Sequence, residues 1–366
     1  MKILILYGTA GIGHKKAAIA IKEAFTEKGE KDAFLADALD YTNPLFKYLY
    51  GASYLFMISK MPVIWGFFYY TLDNPFVYAL LWPFRRFNNW INSFNFVKFL
   101  LKEAPQTVIV THFFALDVIA HLKKRKLLNT KLIAVMTDYR SHTFWLSPYV
   151  DRYAVASEYS KRDLVKRGIP AEKILVSGIP CEKAFTAKYD RSRLSLKLNL
   201  DPDRKTVFLL GGGFGVGPIQ KMVKSLDGAP GDFQCIVVCG YNPPLYGSLK
   251  EFAKTARHKI HVLSFVDNVH ELMACSDVLV SKSGGITVTE ALNAELPMVV
   301  IRPVPGQETR NYRFLRDNNA CLRINDPGEI AGIIQDLFSS GRLGILKNNI
   351  RGIKPENAAR KIAGME

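Results

Sequence analysis

Cysteine is scarce in this 366-residue chain: there are five, Cys181, Cys235, Cys239, Cys275 and Cys321, scattered and odd in number. That pattern excludes a disulfide framework and favours a reducing cytoplasm. Cys235 and Cys239 flank the run IVV, which reads as a buried strand and gives the pair a core role in place of a metal-binding one. No internal repeat and no low-complexity tract occurs. Acidic residues are in deficit, 33 Asp and Glu against 49 Lys and Arg, for a formal charge of +16. The partner is therefore expected to be anionic, nucleic acid or membrane. A zinc finger or RRM-type sequence is missing too, which counts against nucleic acid. The amino terminus lacks the form of a signal peptide: Lys2 precedes apolar residues, but Gly8 and a histidine-containing turn follow at once, so the run reads as a first strand.

No apolar run is long enough to cross a bilayer, which takes about 20 residues. The best candidate, from Pro44 to Phe99, is interrupted by Lys60, Pro62, Asp73, Asn74 and Pro83. The same stretch is dense in aromatics. It holds 19 of the chain's 43, including Trp65, Phe67, Phe68, Tyr69, Trp82 and Trp90, and its charges are mostly basic: Lys47, Lys60, Arg85, Arg86 and Lys98. Aromatic rings beside Lys and Arg suit the headgroup boundary of a membrane. The segment is expected to lie on the cytoplasmic face of the cell membrane, as a peripheral, monotopic surface for anionic lipid. An aromatic-rich core is the alternative.

Strand and helix patterns alternate along the rest of the chain. KILILY, QTVIVTH, KLIAVMTD, DRYAVAS and ILVSGIP read as strands of a first half, with helices in HKKAAIAIKEAFTEKG and EYSKRDLVKRG. TVFLLGGGFGVG, FQCIVVCG, KIHVLSF, DVLVSKSGG and PMVVIRPV form a second series. Continuous apolar strands alternating with helices predict parallel sheets covered on both faces. The expected fold is α/β, two Rossmann-like domains facing across a cleft. Residues 1–180 form the first domain, 181–203 a linker and 204–345 the second; a helix in 346–366 packs back on the first. Ligands in such sheets bind at the carboxyl ends of strands, where both glycine-rich turns, Gly8–Gly13 and Gly211–Gly217, fall.

The sharpest signal is SKSGGITVTEALNAELPMVVIRPVPGQETRN. Gly284 and Gly285 open a helix directly after a strand, so free N–H groups and the helix dipole favour a phosphate. Glu290 on that helix is suited to ribose hydroxyls; by itself it would read as a solvated helix residue. Gln307 and Glu308, in a loop stiffened by two prolines, carry donors and acceptors for sugar hydroxyls or else cap the following helix. Gly211–Gly217 resembles a dinucleotide loop, but no acidic residue ends the next strand, which argues against NAD. His14, where a strand hands over to a helix, reads as a general base, since imidazole titrates near ~6.5 and a helix amino terminus disfavours its charged form. Asp138, at the end of another strand, orients a base or is the base. His142 divides evenly between function and structure, and Trp145 follows it.

With these residues assembled, the chain resembles the glycolipid branch of the GT-B glycosyltransferases of family 28, the monogalactosyldiacylglycerol synthases and processive diacylglycerol glucosyltransferases. The resemblance rests on GIGHKKAA, VMTD with the following His142 and Trp145, VDRYAVAS, GIP, and above all KSGGITVTEAL and PVPGQE with Asn311. It implies inverting transfer of glucose or galactose from UDP-glucose or UDP-galactose to diacylglycerol, with no cofactor and no bound metal. By motif, Ser283, Gly284 and Gly285 would hold the diphosphate and Glu290 the ribose. Gln307 and Glu308 would hold the sugar, and the backbone near Phe265 and Val266 would meet uracil. Gly13, Gly212, Gly213 and Thr287 complete the donor set. His14 would stand beside the acceptor hydroxyl, and the aromatic segment would be the acceptor and membrane region. One departure is that Gly11-Ile12-Gly13 stands where three glycines often precede the histidine. The rival readings are transfer to an undecaprenyl-type or soluble acceptor, a UDP-sugar 2-epimerase, and a non-catalytic sensor of UDP-sugars.

Overall fold

The computed structural model describes residues 1–9 and 11–366. The chain divides into two compact units. Unit 1 comprises Met1–Glu182, Val304–Arg310 and Pro355–Glu366; unit 2 comprises Lys183–Pro303 and Asn311–Lys354.

Unit 1 is built on a six-stranded sheet of β1 (Ile3–Tyr7), β2 (Ala33–Asp37), β3 (Thr107–Val110), β4 (Lys131–Val135), β5 (Arg152–Val155) and β6 (Ile174–Val176). All neighbours are parallel, in the order β2-β1-β3-β4-β5-β6. Its helices are α1 (Ile12–Glu27), α2 (Pro44–Lys60), α3 (Pro62–Leu72), α4 (Pro75–Asn92), α5 (Phe94–Glu103), α6 (Phe113–Lys124) and α7 (Glu158–Lys166). β1, β3 and β4 are continuous apolar runs because both faces are covered: Leu4, Val108 and Leu132 pack on one side, Ile5, Ile109 and Ile133 on the other.

Unit 2 repeats the plan with β7 (Lys205–Leu210), β8 (Phe233–Val238), β9 (Lys259–Leu263), β10 (Val278–Ser281), β11 (Met298–Ile301) and β12 (Cys321–Ile324), all parallel in the order β12-β11-β10-β7-β8-β9. Its helices are α8 (Arg191–Lys197), α9 (Ile219–Asp227), α10 (Pro243–Phe252), α11 (Val269–Ala274), α12 (Gly285–Asn293), α13 (Gln307–Asp317, whose first turn belongs to unit 1), α14 (Ile330–Ser339) and α15 (Arg342–Ile353). Cys235 and Cys239 are buried in the core of this unit, and burial pushes their thiols up to about 12 and about 11.

Four segments differ from the sequence reading. β2 and β12 were not expected; both are sheet edges of four or five residues whose side chains are only partly covered, β2 offering just four apolar residues between Asp32 and Asp37 and β12 being interrupted by Arg323. The stretch 181–203 is not a bare linker. It contains α8, whose Leu194 is buried, and Arg191 pairs through two nitrogens with the Asp277 carboxylate at 3.2 and 2.7 Å, within unit 2. The stretch 346–366 is not one helix. α15 ends at Ile353 in unit 2, and α16 (Ala358–Ala363) packs on α1 in unit 1. There Ile362 is fully buried with Ile3, Ile21 and Phe25, and Arg360 bonds Glu27 at 2.7 Å.

Candidate active site

In unit 1 the strand order reverses direction between β1 and β3, and a doubly wound sheet opens its ligand crevice at that point. The turn after β1 leads into α1, whose cap residue Gly11 is extended and makes no side-chain cap. His14 lies in the first turn of α1. Its Nδ1–H donates to the Thr111 carbonyl at 2.6 Å, and the Thr137 hydroxyl is 3.2 Å from the same nitrogen. The Thr111 hydroxyl in turn donates to the His14 carbonyl at 3.0 Å. With Nδ1 committed as a donor, the lone pair sits on Nε2. Burial lowers the His14 pKa, and the Asp138 carboxylate and the Thr111 carbonyl pull it partly back. The ring is therefore neutral at physiological pH. His112 stands edge-on to it at 4.7 Å between centroids, with Nδ1 accepting from the Phe114 N–H. Gly8 is obligatory beside this pair, because a Cβ there would lie 2.9 Å from the His112 ring. His112, Thr111 and Thr137 were missed in the sequence, although VTHFF follows a strand at the same end of the sheet as His14.

Unit 2 has its own reversal between β7 and β10. The loop after β7 is Gly211–Gly217, and Gly215 has φ +58° with the Cys239 carbonyl where a side chain would stand. The Tyr241 N–H donates to the Gly213 carbonyl at 2.9 Å, which fixes the loop against the end of β8. The loop after β10 enters α12 through Gly284 (φ −62°, ψ 141°) with no side-chain cap. Its cap residue, a glycine, therefore offers the first amides of that helix no side-chain acceptor, an arrangement that favours anion binding. Ser283 is buried, and its carbonyl accepts from Asn311 Nδ2 at 3.0 Å, so a residue 28 positions away sets the turn. Thr287 is the partly exposed position of a helix otherwise buried from Gly285 onward. Phe265, next to Val266 after β9, is exposed and stacks on Tyr241 at 4.3 Å between centroids. Glu290 is only 3% exposed, which removes the solvated reading. If it holds the ribose, Glu290→Ala will weaken UDP binding severalfold by calorimetry, with the melting profile of the same samples separating a lost contact from a lost fold. An unchanged affinity would take Glu290 out of the donor site.

The loop with Gln307 and Glu308 belongs to unit 1 together with the aromatic helices. Gln307 accepts from Trp65 Nε1–H at 3.3 Å and donates to the Tyr54 hydroxyl at 2.9 Å. The Glu308 carboxylate accepts from the Val304 N–H at 2.7 Å, the capping arrangement that the sequence left open. Arg310, one turn on, is buried; it pairs with Asp73, donates to the Ser141 carbonyl at 2.7 Å and lies over the Tyr69 ring at 5.0 Å. Neither Asp73 nor Arg310 was singled out in the sequence.

The residues expected to meet acceptor and membrane divide into two groups. Phe67, Phe68, Trp82 and Trp90 are exposed, as are Phe76 (80%) and Phe84 (77%). α2 and α4 bury no residue at all. No single helix among the described residues is long and apolar enough to cross a membrane; α2 and α3 reach that length only as a pair, bent by 116°. The other group is turned inward. Trp145 and His142 are 5% and 4% exposed, so their rings do not reach a lipid surface. His142 accepts from the Phe144 N–H through Nδ1 and donates to the Tyr69 carbonyl through Nε2 at 3.0 Å; burial, first among the causes, pushes its pKa down to about 4. Both nitrogens are used, and the role is structural. Arg85 is held by the Tyr78 hydroxyl at 2.6 Å and the Phe144 ring at 4.5 Å. Trp65 and Tyr69 are partly buried on the Gln307 and Arg310 contacts.

Known proteins agree with this architecture. Residues 14–181 match the family model of monogalactosyldiacylglycerol (MGDG) synthase, and residues 206–337 that of the glycosyltransferase family 28 C-terminal domain. A processive diacylglycerol beta-glucosyltransferase of Bacillus thuringiensis (strain Al Hakam) is 31% identical over 335 residues, covering 90% of this chain and 83% of the relative. One of Bacillus cereus (strain AH187) is 30% identical, covering 98% and 91%. Among solved structures, Acinetobacter baumannii MurG superposes with a TM-score of 0.66 at 13% identity, covering 100% and 99% of the two chains. Anabaena HepE in complex with UDP-glucose gives 0.59 at 14%, covering 100% and 98%. The fold is thus GT-B, and the chain belongs to glycosyltransferase family 28, in the branch of the monogalactosyldiacylglycerol synthases and processive diacylglycerol glucosyltransferases.

Proposed function

We propose that this protein transfers a hexose, glucose before galactose, from its UDP-sugar to diacylglycerol at a membrane surface, with inversion at the anomeric carbon. The Bacillus relatives named as diacylglycerol beta-glucosyltransferases support the substrate class. The observation that carries the chemistry is the tautomer of His14. Its Nδ1–H is spent on the Thr111 carbonyl, so Nε2 can take a proton. In the reaction the acceptor hydroxyl oxygen bonds to the anomeric carbon, its proton passes to Nε2, and the bond to UDP breaks with its electron pair leaving on the β-phosphate. The uncapped amides of α12, with Lys282 beside them, take up that charge. Glu290 holds the ribose, and Gln307 meets sugar hydroxyls.

The exposed rings of α2–α4 and the +16 charge suit a peripheral position on an anionic, cytoplasmic leaflet. The test is incubation of the full chain with diacylglycerol vesicles and UDP-glucose, UDP-galactose or UDP-N-acetylglucosamine, with lipid products read by mass spectrometry. A hexosyldiacylglycerol is expected from UDP-glucose. Epimerised nucleotide sugar without a lipid product, or UDP release independent of vesicles, would overturn the proposal.

A further inference from the structure

Glu308 caps α13 by accepting from the Val304 N–H, so the side chain of Gln307 is not needed to start that helix. Two rings of the aromatic segment hold it instead. Trp65 Nε1–H donates to Gln307 Oε1 at 3.3 Å, and Gln307 Nε2 donates to the Tyr54 hydroxyl at 2.9 Å. The two rings meet edge to face at 5.3 Å between centroids, and all three side chains are only half-buried. The loop backbone rests on the same helix. A Cβ on Gly66, the buried residue of α3, would collide with the Pro305 Cβ, and one on Gly306 would stand 3.0 Å from the Tyr69 ring. Three consecutive loop residues, Pro305, Gly306 and Gln307, are thus braced by α3.

The residue types dictate the order of these bonds. An indole N–H can only donate, so the carboxamide oxygen must face Trp65 and the nitrogen must face Tyr54. Turning the amide over would set two donors against each other at Trp65. One N–H and one oxygen lone pair are left, and among the described residues nothing else bonds the Gln307 side chain. The Tyr54 hydroxyl keeps its proton: burial, then the Glu308 and Asp138 carboxylates, raise its pKa against the bond from Gln307. Asp138 acts on His14 as well, so the clamp and the base surround one charge.

We infer that Tyr54 and Trp65 are positioning residues for the donor sugar: they hold the Gln307 carboxamide in one orientation, and this fixed pair of donor and acceptor selects between UDP-hexose epimers, a role that rests on Gln307 meeting the sugar hydroxyls. A carboxamide free to rotate follows a hydroxyl from one epimeric position to the other by exchanging its N–H and its oxygen. A clamped one cannot, so the wrong epimer leaves a polar group of the site unpaired. Clamping also removes the entropy cost of ordering a glutamine on the sugar.

The experiment is calorimetry on the full chain without acceptor, titrating UDP, UDP-glucose and UDP-galactose into wild type, Tyr54→Phe, Trp65→Phe and Gln307→Leu. The two ring variants each delete one partner of the amide and keep an aromatic ring. UDP, which carries no sugar, should bind them as it binds the wild type. The preferred UDP-hexose should bind about three- to tenfold more weakly, the loss of one neutral hydrogen bond, and the ratio of the two hexose affinities should move towards one. Wild-type affinities and ratio in both ring variants would overturn the clamp. An equal loss for UDP would overturn it too, by assigning the rings to the scaffold alone. A wild type that binds both hexoses equally would overturn the selection. Gln307→Leu separates these failures from that of the sugar contact. If it leaves UDP-hexose affinity unchanged, Gln307 does not meet the sugar; if it weakens that affinity while the ring variants do not, only the clamp is lost.

Discussion

His14→Ala is expected to lower kcat by about 10²–10⁴-fold, the usual contribution of a positioned general base, and to leave UDP affinity within about twofold of wild type. The expectation follows from the ring's surroundings. Thr111 fixes the tautomer, and burial keeps the imidazole neutral. The pH profile adds a sign. Because the His14 pKa is lowered, the basic form persists below pH ~6.5, so the acid limb of kcat/KM should fall below the value of a free imidazole. Asp138 opposes that shift, so Asp138→Asn should move the limb to still lower pH. A His14→Ala enzyme with near wild-type turnover would show that His14 is not the base. An acid limb above pH 7 in the wild type would contradict the neutral ring.

Asp73→Ala is expected to destabilise unit 1 by about 3–5 kcal/mol, the cost of leaving buried charge without its partner. Asp73 is 9% exposed and Arg310 7%. The carboxylate meets Arg167 at 2.9 Å through both oxygens, pairs with Arg310, and accepts from the Thr143 N–H at 2.8 Å. Burial alone would raise its pKa, but Arg167, His142 and Arg310 hold it down at about 2. A depressed carboxylate contributes stability that is fully present above its unfolded pKa of ~3.9 and is lost as pH falls towards 2. Acid denaturation of unit 1 should therefore steepen between about pH 4 and 2 in the wild type and flatten in the variant. The measurement is thermal unfolding followed at Trp65 and Trp145, and Asp73→Ala/Arg310→Met should recover a good part of the loss by removing the stranded cation. A single variant that melts with the wild type would mean that the pair is solvated in solution.

The elements that sequence alone reveals are those whose logic is local. ILILY, LIAVM and CIVVC are apolar without interruption because both sheet faces are covered, and Gly284 marks the start of α12 because a strand ends there and a helix-forming run begins. β2 and β12 were invisible because β2 offers only four apolar residues between Asp32 and Asp37, and Arg323 interrupts β12. The partners that decide the behaviour of the site residues lie far away in sequence: Thr111 is 97 residues from His14, and Asp73 is 237 from Arg310. No spacing rule connects them. His142 and Trp145 mislead for a related reason. Their residue types suit a ligand surface, and only the fold reveals that one is a neutral turn cap and the other core.

α16 has a bearing on how the molecule is made. Ile362 and Ala363 complete the side of the first sheet formed by Ile3, Ile5 and Ile133, yet all of unit 2 is translated before them. A ribosome that has finished residues 1–182 has therefore released a domain with an open seam over α1, one that stays unsealed while nearly half of the chain is still to come. Neither unit corresponds to an uninterrupted stretch of gene, so a bisected protein should regain its fold only when both fragments are present together.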